Sequence, residues 1–290
     1  MKPCIIVCFL WILLTTSNIS IVPIKAQSSD NLLIFAASSL TDAFTDLAQE
    51  FETSSDIQVT LNLASSSTLS AQLSQGAPAD IFASANLLQI QNLVDDDLIN
   101  QASVSIFAEN ELVLITPIDN PADIQSVEDI AEPDVLLVLG AQSVPIRDYT
   151  NILLDNLELL YKDNFTGNVT ENIVSEELNV RQVVTRVALG EADAGIVYRT
   201  DITEDIIDSV QIIPLPINSS PRASYYIAPL IESNNPSLAN QFIDFVFSDE
   251  GQAILQEWEF CAPETPYPEI TPEPEETSEP DDIQSTQESC

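Results

Sequence analysis

Two serine-rich segments are the places in this sequence where side chains could hold a small polar ligand. AASSLT at 36–41 and ASSSTL at 64–69 each follow an apolar stretch. Each stands where a predicted strand gives way to a predicted helix, so hydroxyls and unbonded backbone N–H groups meet at a helix N-terminus. Such a terminus favours anions because its N–H groups point outward and the helix dipole is positive there. Plain N-capping is the alternative, since serine and threonine are preferred caps.

Residues for catalysis or metal binding are scarce. The chain has no histidine and four cysteines, two of which fall in a predicted leader. A zinc site and a Cys–His nucleophile are therefore excluded. A Ser–Lys mechanism would have only Lys162 as its base once the leader is removed. We expect no enzyme activity and keep a serine hydrolase-type enzyme as a distant alternative.

The charge of the chain excludes nucleic acid as a partner. It contains 46 acidic and 8 basic residues, for a net charge of −38. Binding to phosphates requires clustered lysine and arginine, which this sequence lacks. Such a charge favours solubility, and it conflicts at first sight with the anion sites suggested by the serine segments.

The elements that must position these segments alternate between strand and helix from residue 31 to residue 260. Apolar runs predict strands at 31–37, 57–63, 80–84, 112–116, 135–139, 194–198, 210–215 and 225–230. Helical periodicity, with Thr41 as a cap, predicts helices after residue 41 and at 68–75, 86–95, 149–160, 180–189, 238–247 and 252–258. This pattern predicts an α/β fold with mostly parallel sheets flanked by helices. Ligands of such folds bind at the carboxyl ends of the strands.

The two ends of the chain differ from this middle part. Residues 1–26 combine Lys2, an apolar run at 4–14 too short to span a bilayer, and a small residue at Ala26, which predicts a signal peptide. An uncleaved anchor is the alternative. Residues 261–290 hold six prolines, nine carboxylates and no basic residue, which predicts a disordered acidic tail. Cys261 and Cys290 could pair in an oxidising compartment.

Six stretches, in their order and spacing, resemble the periplasmic molybdate-binding proteins of ATP-binding-cassette importers. They are FAASSLTDAF (35–44), LASSSTL (63–69), QGAPADIFASA (75–85), NVR (179–181), GEADAGIVYRTD (190–201) and SDEGQAIL (248–255). The resemblance covers about residues 32–260. It implies a two-lobed clamp with the ligand in its cleft, with lobe one formed by 31–110 plus 223–260 and lobe two by 113–217. The chain would cross between the lobes near 108–113 and 218–226.

The resemblance also implies a ligand and a set of contacts to it. A tetrahedral oxyanion, molybdate or tungstate, would accept hydrogen bonds from hydroxyls and backbone N–H groups, with no charged residue required. The hydroxyls fall at Ser39, Ser66 and Tyr198, and the N–H groups at Ile146 and Val180; all contact oxygen atoms rather than the metal atom. Preorganised neutral donors would resolve the conflict with the negative charge. Sulfate or phosphate in the same fold is the alternative.

The same resemblance implies a setting for the protein. It would act as an extracytoplasmic or periplasmic monomer without a cofactor, and it would deliver the oxyanion to an ATP-binding-cassette permease in the membrane.

One stretch departs from the family pattern. Where the family commonly has Val-Pro-Ala-Gly, this chain has VPIR at 144–147, and losing the glycine removes easy close approach of the backbone at Ile146. We expect Arg147 to turn outward; the alternative is that it faces the anion and alters selectivity. Arg181 could touch the cleft or form a structural salt bridge. Tyr225 is expected to pack within a strand.

The mature protein is expected to begin at Gln27, because cleavage after Ala26 would remove the whole predicted leader. N-terminal sequencing and intact mass of secreted material check this, and retention of residues 1–26 would contradict it.

Overall fold

The computed structural model describes residues 31–55, 57–162 and 164–263, which form two five-stranded sheets. The predicted signal peptide at 1–26 and the greater part of the predicted tail lie outside the described residues. Among those that are described, no helix is both long and apolar enough to cross a bilayer.

The first sheet has the strand order β2-β1-β3-β10-β4. Its strands are β1 (Asn31–Ala37), β2 (Gln58–Ala64), β3 (Ile81–Ser84), β4 (Ser105–Asn110) and β10 (Ala223–Pro229). Five helices accompany it in the chain, namely α1 (Thr41–Ser55), α2 (Ser66–Ser74), α3 (Leu87–Asp95), α7 (Pro236–Val246) and α8 (Asp249–Glu257).

The second sheet has the order β7-β6-β8-β5-β9. Its strands are β5 (Leu112–Pro117), β6 (Leu137–Gly140), β7 (Ile173–Glu177), β8 (Ala194–Tyr198) and β9 (Val210–Ile213). Its helices are α4 (Pro145–Tyr161), α5 (Phe165–Glu171) and α6 (Val180–Ala188). Two sheets flanked by helices confirm the predicted α/β clamp.

Both sheets follow one plan. The strands β1, β2 and β3 are parallel, as are β6, β7 and β8. One reversed strand then completes each sheet: β10 is antiparallel to both β3 and β4, and β5 to both β8 and β9. Four of the five strands in each sheet therefore run in one direction.

The chain passes between the sheets twice. Only Glu111 separates β4 in the first sheet from β5 in the second, and residues 214–222 separate β9 from β10. The reversed strand of each sheet is thus the strand that enters it from the other sheet. Two linkers of this kind allow the sheets to move relative to each other as hinged bodies.

Several local predictions differ from the structure. Strands β4 and β7 and helix α5 were not predicted as elements, because each is short and only partly apolar. Helix α4 begins at Pro145, four residues earlier than predicted, because proline is preorganised for the first helical position. Thr41 is not a cap. A 3-10 turn at Ser38–Leu40 leads into α1, and the Thr41 hydroxyl donates to the Ser38 carbonyl at 2.6 Å.

The core of the first lobe is aromatic. Phe44 of α1 contacts Phe107 of β4 edge to face, with ring centroids 5.7 Å apart, and lies beside Phe242 of α7 at 6.2 Å. In the second lobe, α6 buries Val180, Val183, Val184 and Val187 on one face. This i, i+3, i+4, i+7 spacing explains why the sequence predicted that helix correctly.

Gly251 lies where α8 approaches the end of α7. A Cβ there would come within 2.9 Å of the Val246 Cα and closer still to the Phe245 carbonyl oxygen, and both obstacles are backbone. We expect Gly251→Ala to destabilise the protein by about 1–3 kcal/mol through overpacking. Urea unfolding measures this, with Gln256→Ala on the exposed face of α8 as the control. Equal stability of the two variants would show that α8 can shift freely.

Candidate functional site

The serine segments lie side by side at the carboxyl ends of the parallel strands of the first sheet. Strand β1 pairs in parallel with β2, with Ala37 opposite Ala64, and with β3, with Ala36 opposite Ala83. The loops that follow these strands are therefore neighbours. Ser39 lies in the 3-10 turn after β1, Ser66 is the first residue of α2 after β2, and both are buried.

Neither Ser39 nor Ser66 serves as an N-cap. Helix α2 is capped by Ser65, whose Oγ accepts from the Thr68 N–H at 3.3 Å. The Ser66 Oγ instead accepts from the Ala85 N–H at 3.0 Å. Because that backbone group can only donate, the Ser66 hydroxyl keeps its own hydrogen for another acceptor.

Ser39 is held in a similar way by Tyr225, for which strand packing alone is predicted from the sequence. The Tyr225 ring does pack, edge to face with Phe107. Its hydroxyl also donates to the Ser39 Oγ at 2.8 Å, and the Asn110 Nδ2 donates to the Tyr225 oxygen at 3.4 Å. This relay engages Ser39 as an acceptor and leaves its hydrogen available. The signal in the sequence was a tyrosine in a buried strand, whose hydroxyl needs a partner.

Ile146 and Val180 follow two parallel strands of the second sheet, and Tyr198 is the last residue of a third. Ile146 is the second residue of α4 after β6, and Val180 is the first residue of α6 after β7. Both side chains are buried, so the backbone N–H is the polar group that each residue can offer. The N–H groups of a first helical turn have no acceptor within their own helix.

Tyr198 ends β8 and carries the most informative atom of the site. Its hydroxyl is buried and has no hydrogen-bond partner among the described residues. Tyr225 and Tyr149 surround its ring edge to face, at centroid distances of 5.7 and 6.3 Å. Burial raises the pKa of Tyr198 well above its usual value, so the group stays protonated. A buried hydroxyl without a partner is costly, which favours a site that a ligand completes.

Polar contacts join the two lobes close in sequence to these residues. The Asn86 Nδ2 donates to the Asp148 Oδ2 at 2.7 Å, and the Tyr149 hydroxyl donates to the Ser224 carbonyl at 3.2 Å. Arg181 of α6 also pairs with Asp42 of α1 at 2.6 Å. Elements that carry the predicted site residues are therefore in contact across the two sheets.

Arg147 does not turn outward as expected. Its side chain is 5% exposed, and its Nη1 donates to the Gly140 carbonyl at 3.0 Å and to Glu176 at 2.7 Å. Its Nε donates to the Asn151 Oδ1 at 3.1 Å. The guanidinium can bury because α4 and the ends of β6 and β7 supply acceptors for it. The positive charge of Arg147 is therefore paired with the carboxylate of Glu176.

Arg181 forms a salt bridge, the second of its two predicted roles. Besides Asp42, its Nε lies 2.8 Å from the Oδ1 of the fully buried Asp201. Burial raises the pKa of Asp201 to about 6, and the Arg181 charge opposes that rise.

The described residues supply donors rather than metal ligands. They contain no group of three or more histidine, cysteine, aspartate or glutamate residues that could hold a metal ion. Cys261 is disulfide-bonded, and Cys290, its predicted partner, lies outside the described residues.

Comparison with known proteins identifies a family. The model of the family described as "Bacterial extracellular solute-binding protein" matches residues 32–260. Molybdate-binding protein ModA of Mycobacterium tuberculosis is 34% identical over 238 residues, which cover 82% of this chain and 87% of the relative.

Solved structures show the same architecture. The substrate-binding domain of a putative molybdenum ABC transporter from Clostridium difficile is 28% identical, with a TM-score of 0.61, and the match covers 81% of this chain and 99% of that one. The sulfate-binding protein SubI of M. tuberculosis is 16% identical with a TM-score of 0.70, covering 81% and 87%. The second likeness concerns the fold alone, so the fold does not decide the ligand.

Two tyrosine variants should move stability in opposite directions. Tyr198→Phe removes an unpartnered buried hydroxyl and should raise the free energy of unfolding of the ligand-free protein by about 1 kcal/mol. Tyr225→Phe breaks the relay to Ser39 and should lower it by about 1 kcal/mol. Urea unfolding of both variants, with Tyr161→Phe at the far end of α4 as the control, tests this. A loss of stability in Tyr198→Phe would mean that its hydroxyl already has a partner.

Proposed function

The chain belongs to the bacterial extracellular solute-binding proteins, and from that membership we propose that it captures molybdate or tungstate and delivers it to an ATP-binding-cassette permease. The observation that carries the proposal is the buried, unpartnered hydroxyl of Tyr198, because it requires an acceptor that the described chain does not provide. The names of the relatives support the choice of oxyanion.

We propose that five groups bind the oxyanion. The hydroxyls of Ser39 and Ser66 have their acceptor positions engaged by Tyr225 and Ala85, so both act as donors. The hydroxyl of Tyr198 and the N–H groups of Ile146 and Val180 complete the set. Each hydrogen bond to a charged group contributes roughly 1.5–3 kcal/mol, so five supply on the order of 10 kcal/mol before ordering costs. That amount suffices without a cation in contact with the ligand.

The lobe boundaries are part of this proposal. Residues 31–110 plus 223–260 form lobe one and residues 113–217 form lobe two, with the ligand between them. The division is supported by the sheets, since β1 to β4 and β10 share one and β5 to β9 share the other. We further propose that the protein works as a monomer without a cofactor, since five donors from a single chain account for the ligand.

Catalysis by a Ser–Lys pair is disfavoured by geometry. Lys162 follows the last residue of α4, a helix of 17 residues. Ile146, by contrast, lies at the first turn of that helix. At about 1.5 Å per residue, the two ends are about 25 Å apart. The lysine therefore stands at the opposite end of α4 from the proposed site.

Donor-only chemistry predicts the selectivity. Near neutral pH molybdate, tungstate and sulfate present only hydrogen-bond acceptors. Phosphate still carries a proton, and that proton needs an acceptor in the site. An unsatisfied buried group costs roughly 1–3 kcal/mol, which lowers phosphate affinity by about one to two decades. Sulfate is smaller, so its oxygens cannot reach every donor in a rigid cage at full strength. Titration calorimetry at fixed pH and salt should rank molybdate and tungstate together, well above sulfate, with phosphate last.

Two outcomes would revise the ligand. If sulfate bound as tightly as molybdate, the site would not be specific for molybdate and tungstate, and sulfate would become the alternative ligand. Phosphate binding as tightly as molybdate would show that an acceptor, such as a nearby carboxylate, belongs to the site.

Ser66→Ala should weaken molybdate and tungstate equally, by roughly 1–3 kcal/mol, because it removes one donor that both ligands share. Ser74→Ala is the matched control, since Ser74 ends the same helix and its exposed hydroxyl bonds Asp96. The same calorimetric titration measures both variants. Unchanged affinity in Ser66→Ala would remove this serine from the site.

A further inference from the structure

We propose that Arg181, with Asp42 and Asp201, is a latch that holds the lobes closed over the ligand and positions three of its donors, an inference that rests on the proposed function. The guanidinium lies 2.6 Å from the Asp42 carboxylate in lobe one and 2.8 Å from the Asp201 carboxylate in lobe two. It is therefore a charged contact that opening of the cleft must break.

Each member of the latch is close in sequence to one proposed donor. Asp42 stands three residues after Ser39, Asp201 three residues after Tyr198, and Arg181 directly after Val180. The segments between them are tight. Ser39 belongs to a 3-10 turn that leads into α1, and Asp201 ends a second 3-10 turn, Arg199–Asp201, that follows β8. Fixing the three charged groups therefore fixes the backbone that carries the three donors.

The two ion pairs have different roles because their burial differs. Asp201 is fully buried and lies on the same lobe as Arg181, so that pair persists whether the cleft is open or closed. Asp42 is 32% exposed and lies on the opposite lobe. Only the pair with Asp42 is made and broken by the motion. Asp201 positions the guanidinium within lobe two, and Asp42 is the partner that the guanidinium gains when the lobes close.

The latch also explains how a cation can assist without contacting the oxyanion. Arg181 faces two carboxylates, so the triad is net negative and the guanidinium has no excess positive charge with which to attract an anion. Its contribution is to the closed state, which is the state that binds the ligand tightly. A contact present only in one state shifts the equilibrium toward it.

The test measures rates of molybdate binding. Asp42→Asn keeps the shape of the side chain and removes its charge. It should raise the dissociation rate constant of molybdate about tenfold and change the association rate constant by less than about twofold, because the pair with Asp42 forms only in the closed complex. Dissociation is followed by chasing bound radioactive molybdate with unlabelled molybdate. Asp42→Glu, which restores the charge, should recover most of the slow dissociation.

The chain offers a matched control on the same helix. Arg186 also makes two ion pairs, with Glu177 at 3.1 Å and with Glu191, but both partners belong to the second lobe. Arg186→Gln should leave both rate constants within about twofold of the wild type. Arg181 itself is less suitable for substitution in this test, because its removal would leave the buried carboxylate of Asp201 without a partner.

The outcomes separate the latch from the function. A wild-type protein that retains no molybdate would refute the proposed function and the latch with it. A wild type that retains molybdate while Asp42→Asn releases it at the wild-type rate would refute the latch alone. Equal acceleration in Asp42→Asn and Arg186→Gln would also refute it, because the effect would then be a general response to lost surface charge.

Discussion

In the proposed site a dianion is bound by hydrogen-bond donors within a chain of net charge −38. Hydroxyls are ambiguous in this respect, because each can donate or accept. The structure removes the ambiguity at two of the proposed serines by filling their acceptor positions. The Ala85 N–H does this for Ser66, and the Tyr225 hydroxyl does it for Ser39. The fold places these two donors, the Ala85 N–H and the Tyr225 hydroxyl, beside the serines.

The architecture supplies that placement twice. In each sheet three parallel strands end at one edge, and a reversed strand arrives from the other sheet to complete it. Reversal brings the beginning of β10, with Tyr225, to the carboxyl ends of β1 and β3, where Ser39 lies. It likewise sets the start of β5 beside the end of β8, with Leu112 opposite Tyr198. The two strands that follow the linkers thus also border the proposed site.

The sequence was sufficient to predict the α/β class and most of the strands, because their apolar runs and helical periodicities are set by local burial. The motif order predicted the family, which the comparisons confirm. The polarising partners were missed because they depend on contacts across long separations, 186 residues for Tyr225 and Ser39. The burial of Arg147 was missed because Glu176, which lies on the neighbouring strand β7, reaches it only through the fold.

Arg147 and Arg181 show how an acidic protein can use cations to position donors without placing them against the ligand. Arg147 pairs with Glu176 next to the first turn of α4, and Arg181 pairs with two carboxylates next to the first turn of α6. Each helix begins with a proposed N–H donor, so each guanidinium anchors a donor through the backbone. If Arg181 contacted the anion directly, the fully buried Asp201 would lose its partner or compete for the same cation. Because the arginines pair with carboxylates, the proposed ligand is bound by neutral dipoles alone. The site can then discriminate between anions by their size and protonation.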